Sequence, residues 1–367
     1  MRYNNERYSR QLILQGFGEP AQSRLADARV LVIGAGGLGC PALQYLVSSG
    51  VGSIGIIDDD IVSVSNLHRQ VLFTTDDIGR LKVEVSSERL QRINPEVDIT
   101  IYPFKIDSSN VIEVLNGYDF IFDGSDNFTA RYLVNDASTL LKKPLIFAAV
   151  SGYEGQLAIF NIAGERDERT NYRDLFPIQP KDGEILNCAE NGVLGVLPGI
   201  IGAMAAGEII KLITKIGRPL INTLRHYNLL SGEQYEMNIS PGANYTLPKT
   251  KAELSSIQYG DVDQDAENYT EISAIDLKSL REQSTTLVID VRERHEYPKL
   301  HDKEILPVPL SELESLLAKD ISEQNIVFLC QHGIRSATAA ELFNEKYGDL
   351  KNIYSVKGGI TKWSNYF

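Results

Sequence analysis

Residues 29–50, "RVLVIGAGGLGCPALQYLVSSG", place an apolar run, a cluster of four glycines at 34–39 and a helix-forming stretch in one short span. This order constrains the fold more than any other feature of the chain. A buried strand must turn abruptly into a helix, and Gly34, Gly36, Gly37 and Gly39 make so tight a turn possible. Backbone N–H groups in such a turn, with the positive end of the following helix, face phosphate oxygens. The turn alone serves any nucleotide, or none, so its neighbours decide its use.

From 29 to about 150, the apolar runs "VLVIG", "IGIID", "DITIYP", "YDFIFDG" and "PLIFAAV" alternate with helical patterns such as "GRLKVEVSSERLQRIN". This is the sequence form of an α/β fold, a Rossmann-like nucleotide-binding domain with a mostly parallel sheet and crossover helices. Residues 246–267 are polar and turn-rich and read as a linker. A second alternation follows, from "SAIDLKSLREQ" and "TLVIDV" through "NIVFLC" to "NIYSV". It predicts a smaller α/β domain over 268–367, after a first domain over 1–245.

The chain has 367 residues, 43% of them apolar, enough for two cores. A net charge of −13 disfavours a nucleic-acid surface, which needs clustered Lys and Arg, and leaves small molecules or proteins as partners. "MRYNNERYSRQLILQGFG" is too charged for a signal peptide. The apolar stretch Val193–Gly207 is short and interrupted by Pro198, Gly199 and Gly202, so a cytoplasmic protein without a membrane segment is expected. Cys40, Cys188 and Cys330 lie far apart and read as reduced thiols.

A simple NAD-binding unit needs one acidic residue at the end of the second strand, and Asp58 fits. Here the strand runs into three carboxylates and a basic, amide-rich segment, "DDDIVSVSNLHRQVLF", with Lys82 in "GRLKVE". Cations beside a phosphate cradle point to a triphosphate. "DGSDNFTAR" sets Asp123 and Asp126 at the carboxyl edge of the sheet, where carboxylates can hold Mg²⁺. The rival, an NAD-dependent oxidoreductase with a regulatory appendage, leaves Arg69, Lys82 and Asp126 without a role.

Over residues 3–240, "RYSRQLILQGFG", the glycine segment, "DDDIVSVSNLHRQVLF", "GRLKVE", "RINP", "DGSDNFTARYLVND" and "NCAENGVLGVLPGIIGAMAAGEIIKLI" follow one another in order. In this the chain resembles the ThiF/MoeB/HesA family, prokaryotic relatives of ubiquitin-activating enzymes. These adenylate the C-terminal Gly-Gly of small ubiquitin-like sulfur-carrier proteins. The resemblance implies that ATP is held by Gly34, Gly36, Gly37, Gly39, Asp58, Asp60, Ser65, Asn66, Arg69, Gln70, Lys82, Asp126 and Asn127, with Asp126 on Mg²⁺. It also implies a homodimer in which Arg10 reaches the neighbouring subunit's phosphates. Adenylation of this kind needs no side-chain nucleophile, only positioning and cations on the departing pyrophosphate. Many members carry a structural zinc on two C-x-x-C pairs. Here the first pair's positions read Asn171 and Asp174, and "NISPGANYTLP" has no cysteine, so no zinc site is expected.

Cys40 reads as a small buried hydrophobe. Cys188, in "LNCAENG", matches a cysteine that links covalently to the carrier in several relatives; a structural or resolving thiol is the alternative. Cys330, in "NIVFLCQHGIRSATAAELF", ends a strand ahead of a short loop and a helix. Loop amides and the helix N-terminus then favour an anionic sulfur, and Arg335 adds positive charge. Together with "VIDVRERHEY" and "NIYSVKGGITKW", this segment resembles a rhodanese sulfurtransferase domain over about 268–367. Four residues separate Cys330 from Arg335, the shorter rhodanese-type loop. The two resemblances together imply an acyl adenylate made by the first domain and converted to a thiocarboxylate by a Cys330 persulfide, with a cysteine desulfurase as a candidate donor. Thiamin, molybdopterin and tRNA thiolation share this activation step, and the sequence does not choose among them.

Overall fold

The computed structural model describes residues 4–164, 167–180, 192–259, 269–283, 285–294, 296–300, 302–317, 320–331, 333–348 and 350–362. They form two compact units, one up to residue 259 and one from residue 269.

The first unit holds an eight-stranded sheet: β1 (Arg29–Ile33), β2 (Ser53–Ile57), β3 (Asp98–Tyr102), β4 (Phe120–Asp123), β5 (Leu145–Ser151), β6 (Glu154–Phe160), β7 (Thr223–Asn228) and β8 (Gln234–Asn238). Their spatial order is β3-β2-β1-β4-β5-β6-β7-β8. The first five strands are parallel, with Val30 opposite both Ile54 and Phe120. Strands β1 and β2 are buried from their second residue on, which is why they read as continuous apolar runs. The strand order reverses between β1 and β4, and open α/β sheets bind ligands at such a switch point. Strands β6 to β8 extend the sheet antiparallel. The sequence pattern does not mark them, and β8 is exposed at every residue.

The helix Val196–Thr214 is, among the described residues, the one long and apolar enough to cross a membrane. Here it packs Leu197, Ile201, Ala205, Ile209 and Ile213 into the main core beside the sheet. Its buried Glu208 accepts hydrogen bonds from Lys211 at 2.6 Å and from the Leu220 N–H at 3.0 Å. Part of the segment read as linker is ordered structure of the first unit. Thr250 caps the helix Lys251–Ser256, Leu254 is buried, and the Tyr259 hydroxyl donates to buried Asp136 at 2.8 Å.

The second unit is a five-stranded parallel sheet: β9 (Thr270–Ile272), β10 (Thr286–Asp290), β11 (Ile305–Pro307), β12 (Asn325–Leu329) and β13 (Asn352–Val356), in the order β11-β10-β12-β13-β9. Central β12 is buried along its length. Phe328 and Phe343 build the core on one face, Val327 and Leu329 on the other. Cys330 directly follows β12, ahead of the helix Ile334–Tyr347.

Candidate functional site

The glycine turn is pinned at the switch point. Gly34 has φ +88°, a left-handed conformation, and a methyl group on it would lie 3.0 Å from the Gly124 carbonyl oxygen after β4. A methyl on Gly39 would lie 1.9 Å from the Gly34 carbonyl oxygen, so only glycine lets the helix Gly39–Ser48 start this close to the strand. Gly36 and Gly37 look onto the next segment: methyl groups there would come 3.7 Å from Gln70 Nε2 and 3.5 Å from Arg69 Cγ. Cys40 is fully buried, and burial pushes its thiol up to about 12, which suits packing and not reactivity.

Around this turn the charged residues converge. One Asp58 oxygen accepts the Ala35 N–H at 2.8 Å and the other accepts the Asp60 N–H at 2.9 Å. Burial raises the Asp58 carboxyl, against the pull of Lys82. Lys82 is only 4% exposed and donates to Asp60 at 2.7 Å. It opens the helix Lys82–Ile93, where the helix dipole disfavours a cation. Burial also disfavours its charge, but Asp58, Asp60 and, further down, Asp126 outweigh it and raise the ammonium above its ordinary value. A buried cation kept charged by its surroundings beside the glycine turn is placed to meet an incoming anion.

Residues 65–70 form one turn. The Asn66 carbonyl accepts the N–H groups of Arg69 and Gln70, each at 3.0 Å, and Ser65 Oγ pairs with Ser63 Oγ. The Arg69 guanidinium donates to the Ser65 carbonyl at 2.9 Å. Gln70 is buried, and its side-chain carbonyl oxygen has no hydrogen-bond partner among the described residues. An orphaned buried acceptor is costly, and a donor on a bound ligand would relieve it.

Asp123 and Asp126, which the sequence set together, part company. Asp123 is buried and turns inward, accepting the Ser125 N–H at 3.0 Å and hydroxyl at 2.6 Å, with Arg131 at 3.7 Å. Asp126 is exposed in the same turn. The Asn127 side chain accepts the Ala130 N–H at 2.8 Å, which caps the helix Phe128–Leu140. Among the described residues no group of three His, Cys, Asp or Glu gathers as a protein-only metal site. A lone exposed carboxylate fits Mg²⁺, which takes one or two carboxylates plus substrate phosphates. Arg131, without a role in the sequence reading, donates to the Ser125 carbonyl at 2.7 Å and lies 5.0 Å over the Phe147 ring. Arg10 is exposed on the helix Ser9–Leu12, next to Ile13 and Leu14, which are 73% and 57% exposed.

Asn171 and Asp174, for which the resemblance implied thiolates in zinc-binding members, take part in a polar clasp. Asp174 accepts the Asn171 N–H at 2.8 Å, the Gly242 N–H at 2.6 Å and the Tyr245 hydroxyl at 2.5 Å, and Asn171 Nδ2 donates to that hydroxyl oxygen at 2.6 Å. The clasp ties the 171–174 turn to the segment after β8. Cys188 lies outside the described residues.

In the second unit, Cys330 is 1% exposed and its sulfur accepts the N–H groups of Gly333 at 3.1 Å and Ser336 at 3.4 Å. Gly333 has φ +98°, which turns the loop into the helix. The Gly358–Gly359 turn packs against this loop, and the Ile360 N–H bonds the Cys330 carbonyl at 2.9 Å. Arg335 has a partner that its sequence neighbourhood does not reveal: buried, it donates to both oxygens of Glu296, at 2.6 and 2.8 Å. The cleft beside them, of about 200 Å³, is lined by Asp290, Arg292, Glu296 and Lys299, among others.

Comparison with known proteins gives a match to the ThiF family over residues 8–246 and to the rhodanese-like domain over 273–366. A sulfur carrier protein adenylyltransferase of Thermus thermophilus is 47% identical over 245 residues, covering 65% of this chain and 90% of its own. A probable adenylyltransferase/sulfurtransferase MoeZ of Mycobacterium tuberculosis is 37% identical over 365 residues, covering 98% of this chain and 92% of its own. Among solved structures, E. coli MccB with MccA-N7isoASN matches with TM-score 0.59 and 25% identity, over 67% of this chain and 75% of that one.

Proposed function

This chain belongs to the ThiF family, and on that premise we propose that it adenylates the C-terminal Gly-Gly carboxylate of a ubiquitin-like sulfur-carrier protein and converts it to a thiocarboxylate. The observation that carries this reading is the buried Lys82 among Asp58, Asp60 and Asp126, beside the orphaned Gln70 acceptor at the switch point. An NAD-dependent oxidoreductase has no use for that cation.

ATP is the substrate. Asp58, anchored on the Ala35 N–H, holds the ribose hydroxyls at the end of β2. The glycine-turn amides cradle the phosphates, and Asn66 and Gln70 complete the nucleotide's polar contacts. The carrier's carboxylate oxygen forms a bond to the α-phosphorus as the bond to the bridging oxygen breaks and pyrophosphate leaves. Lys82 and Arg69 stabilise the charge that moves onto the leaving group. Asp126 would hold Mg²⁺, which when bound would supply further charge compensation to the phosphates. Exposed Ile13 and Leu14 beside Arg10 support a homodimer in which Arg10 crosses to the partner's phosphates.

In the second unit, residues 268–367, the Cys330 sulfur accepts a sulfane sulfur, supplied by a persulfide donor such as a cysteine desulfurase. The terminal sulfur of the resulting persulfide then attacks the acyl adenylate and AMP leaves, joining carrier and Cys330 through an acyl disulfide. A second thiol attacks the Cys330 sulfur, the S–S bond breaks and the thiocarboxylate leaves with the electron pair, and the disulfide so formed is reopened by a thiol reductant. The protein acts in the cytoplasm. ATP/pyrophosphate exchange that requires both MgATP and a Gly-Gly-ending carrier tests the reading; NAD binding without exchange would overturn it.

A further inference from the structure

The two arginines flanking the sulfur loop are each matched by a carboxylate. Arg292 donates to Asp290 at 2.8 Å through Nη2, while its Nη1 bonds the Pro298 carbonyl at 3.0 Å and Gln331 Oε1, in the sulfur loop, at 3.2 Å. Arg335 is matched by Glu296 through both oxygens. Glu296 is itself fixed, because Oε1 also accepts the Glu293 N–H at 2.7 Å. Burial works against its charge, yet hydrogen bonds from Arg335 and the Glu293 amide, with the charges of Arg335 and Arg292, keep its carboxyl below the usual carboxylate range. The Arg292–Asp290 and Arg335–Glu296 pairs are therefore each charge-balanced. Among the described residues, the sulfur accepts neutral N–H donation from Gly333 and Ser336 and lies 3.5 Å from the Ser336 hydroxyl.

We propose that Glu296 selects the sulfur donor by cancelling the charge of Arg335. A dianionic donor such as thiosulfate entering beside arginines that are already matched loses hydration and gains little counter-charge from them. A persulfide carries at most one negative charge on its sulfur, and its reacting form RSSH carries none, so it has less to lose. With thiosulfate, Cys330 S⁻ bonds the sulfane sulfur, the S–S bond breaks and sulfite leaves with the electron pair. With RSSH, the same attack gives Cys330–SSH and RS⁻. The inference rests on the sulfurtransferase reading and deepens it, since it names the donor class and the residue that sets it.

The test uses the full chain with thiosulfate and with cysteine persulfide as probes, following the mass gain of one sulfur on Cys330 in single turnover. The wild type is expected to favour the persulfide. Glu296→Gln, which removes the carboxylate that Arg335 pairs with, is expected to raise the thiosulfate rate relative to the persulfide rate on the order of tenfold. Glu296→Asp should retain the wild-type preference. If the Gln variant folds poorly, judged by its Tm, Arg335→Gln must move the ratio the other way, because it leaves Glu296 unmatched. A thiosulfate preference in the wild type, or a ratio unmoved by these variants, overturns the inference alone. No sulfur gained on Cys330 from either donor overturns the sulfurtransferase reading and the inference with it.

Discussion

The clasp around Asp174 yields a prediction whose size follows from its contacts. Tyr245→Phe removes one hydroxyl and with it two hydrogen bonds, one donated to Asp174 and one accepted from Asn171. Neither partner is left bare: Asp174 keeps the Gly242 and Asn171 N–H groups, and Asn171 Nδ2 still donates to Asp174 at 3.0 Å. The loss is therefore that of a hydrogen bond to a charged group without a new orphan, about 1.5–3 kcal/mol. Because the ring is only half-buried, about 2 kcal/mol is the expected value. For a unit of this size, 1 kcal/mol moves the midpoint by about 2–4 °C, so calorimetry of the full chain should show the first unit melting roughly 4–8 °C lower. A metal chelator should leave the wild-type midpoint unchanged. The reasoning fails if Tyr245→Phe melts with the wild type, or if the chelator alone lowers the midpoint, which would mean that a metal and not the clasp ties the turn to the segment after β8.

Asp126→Ala should lower Mg²⁺-dependent ATP/pyrophosphate exchange on the order of a hundredfold; unchanged exchange in a folded variant would assign the metal to another group. Cys330→Ser should leave exchange near wild-type while the carrier, weighed by mass spectrometry, no longer exchanges oxygen for sulfur. Normal thiocarboxylate yield in that variant would make the second unit an accessory. Burial, helped by Asp174, pushes the Tyr245 hydroxyl up to about 12 from 10.0. A raised value stabilises the protonated form, so its contribution is complete below pH 10 and is lost as the pH climbs towards 12. Urea midpoints at pH 9 and 11 should therefore fall less in Tyr245→Phe than in the wild type, and parallel losses would refute the assignment.

What the sequence made legible follows from where each signal is encoded. Strands β1 to β5 could be read because parallel strands between helices are buried on both faces and must be apolar throughout. Strands β6 to β8 have no such compulsion: β8 lies exposed at the sheet edge, and its residues Gln234–Asn238 carry no pattern that excludes a loop. Pro198 argued for a broken stretch, yet it falls in the first turn of Val196–Thr214, where proline costs no helical hydrogen bond. At the first site, Asp58 and Lys82 stood out because carboxylate and cation recur at strand and helix ends, where the fold must place them near the glycine turn. Which of Asp123 and Asp126 faces inward was not encoded locally; Asp123 lies beside buried Arg131 and supplies a counter-charge to it. The same rule governs the second site. A cation beside a reactive cysteine looks, in sequence, like help for the sulfur. Once buried, however, it must be matched, and its match can come from a segment 39 residues away. The segment "VRERHEY" offers Glu293 and Glu296 equally, and only the fold, by turning Glu293 into an amide donor for Glu296, determines which carboxylate takes the arginine.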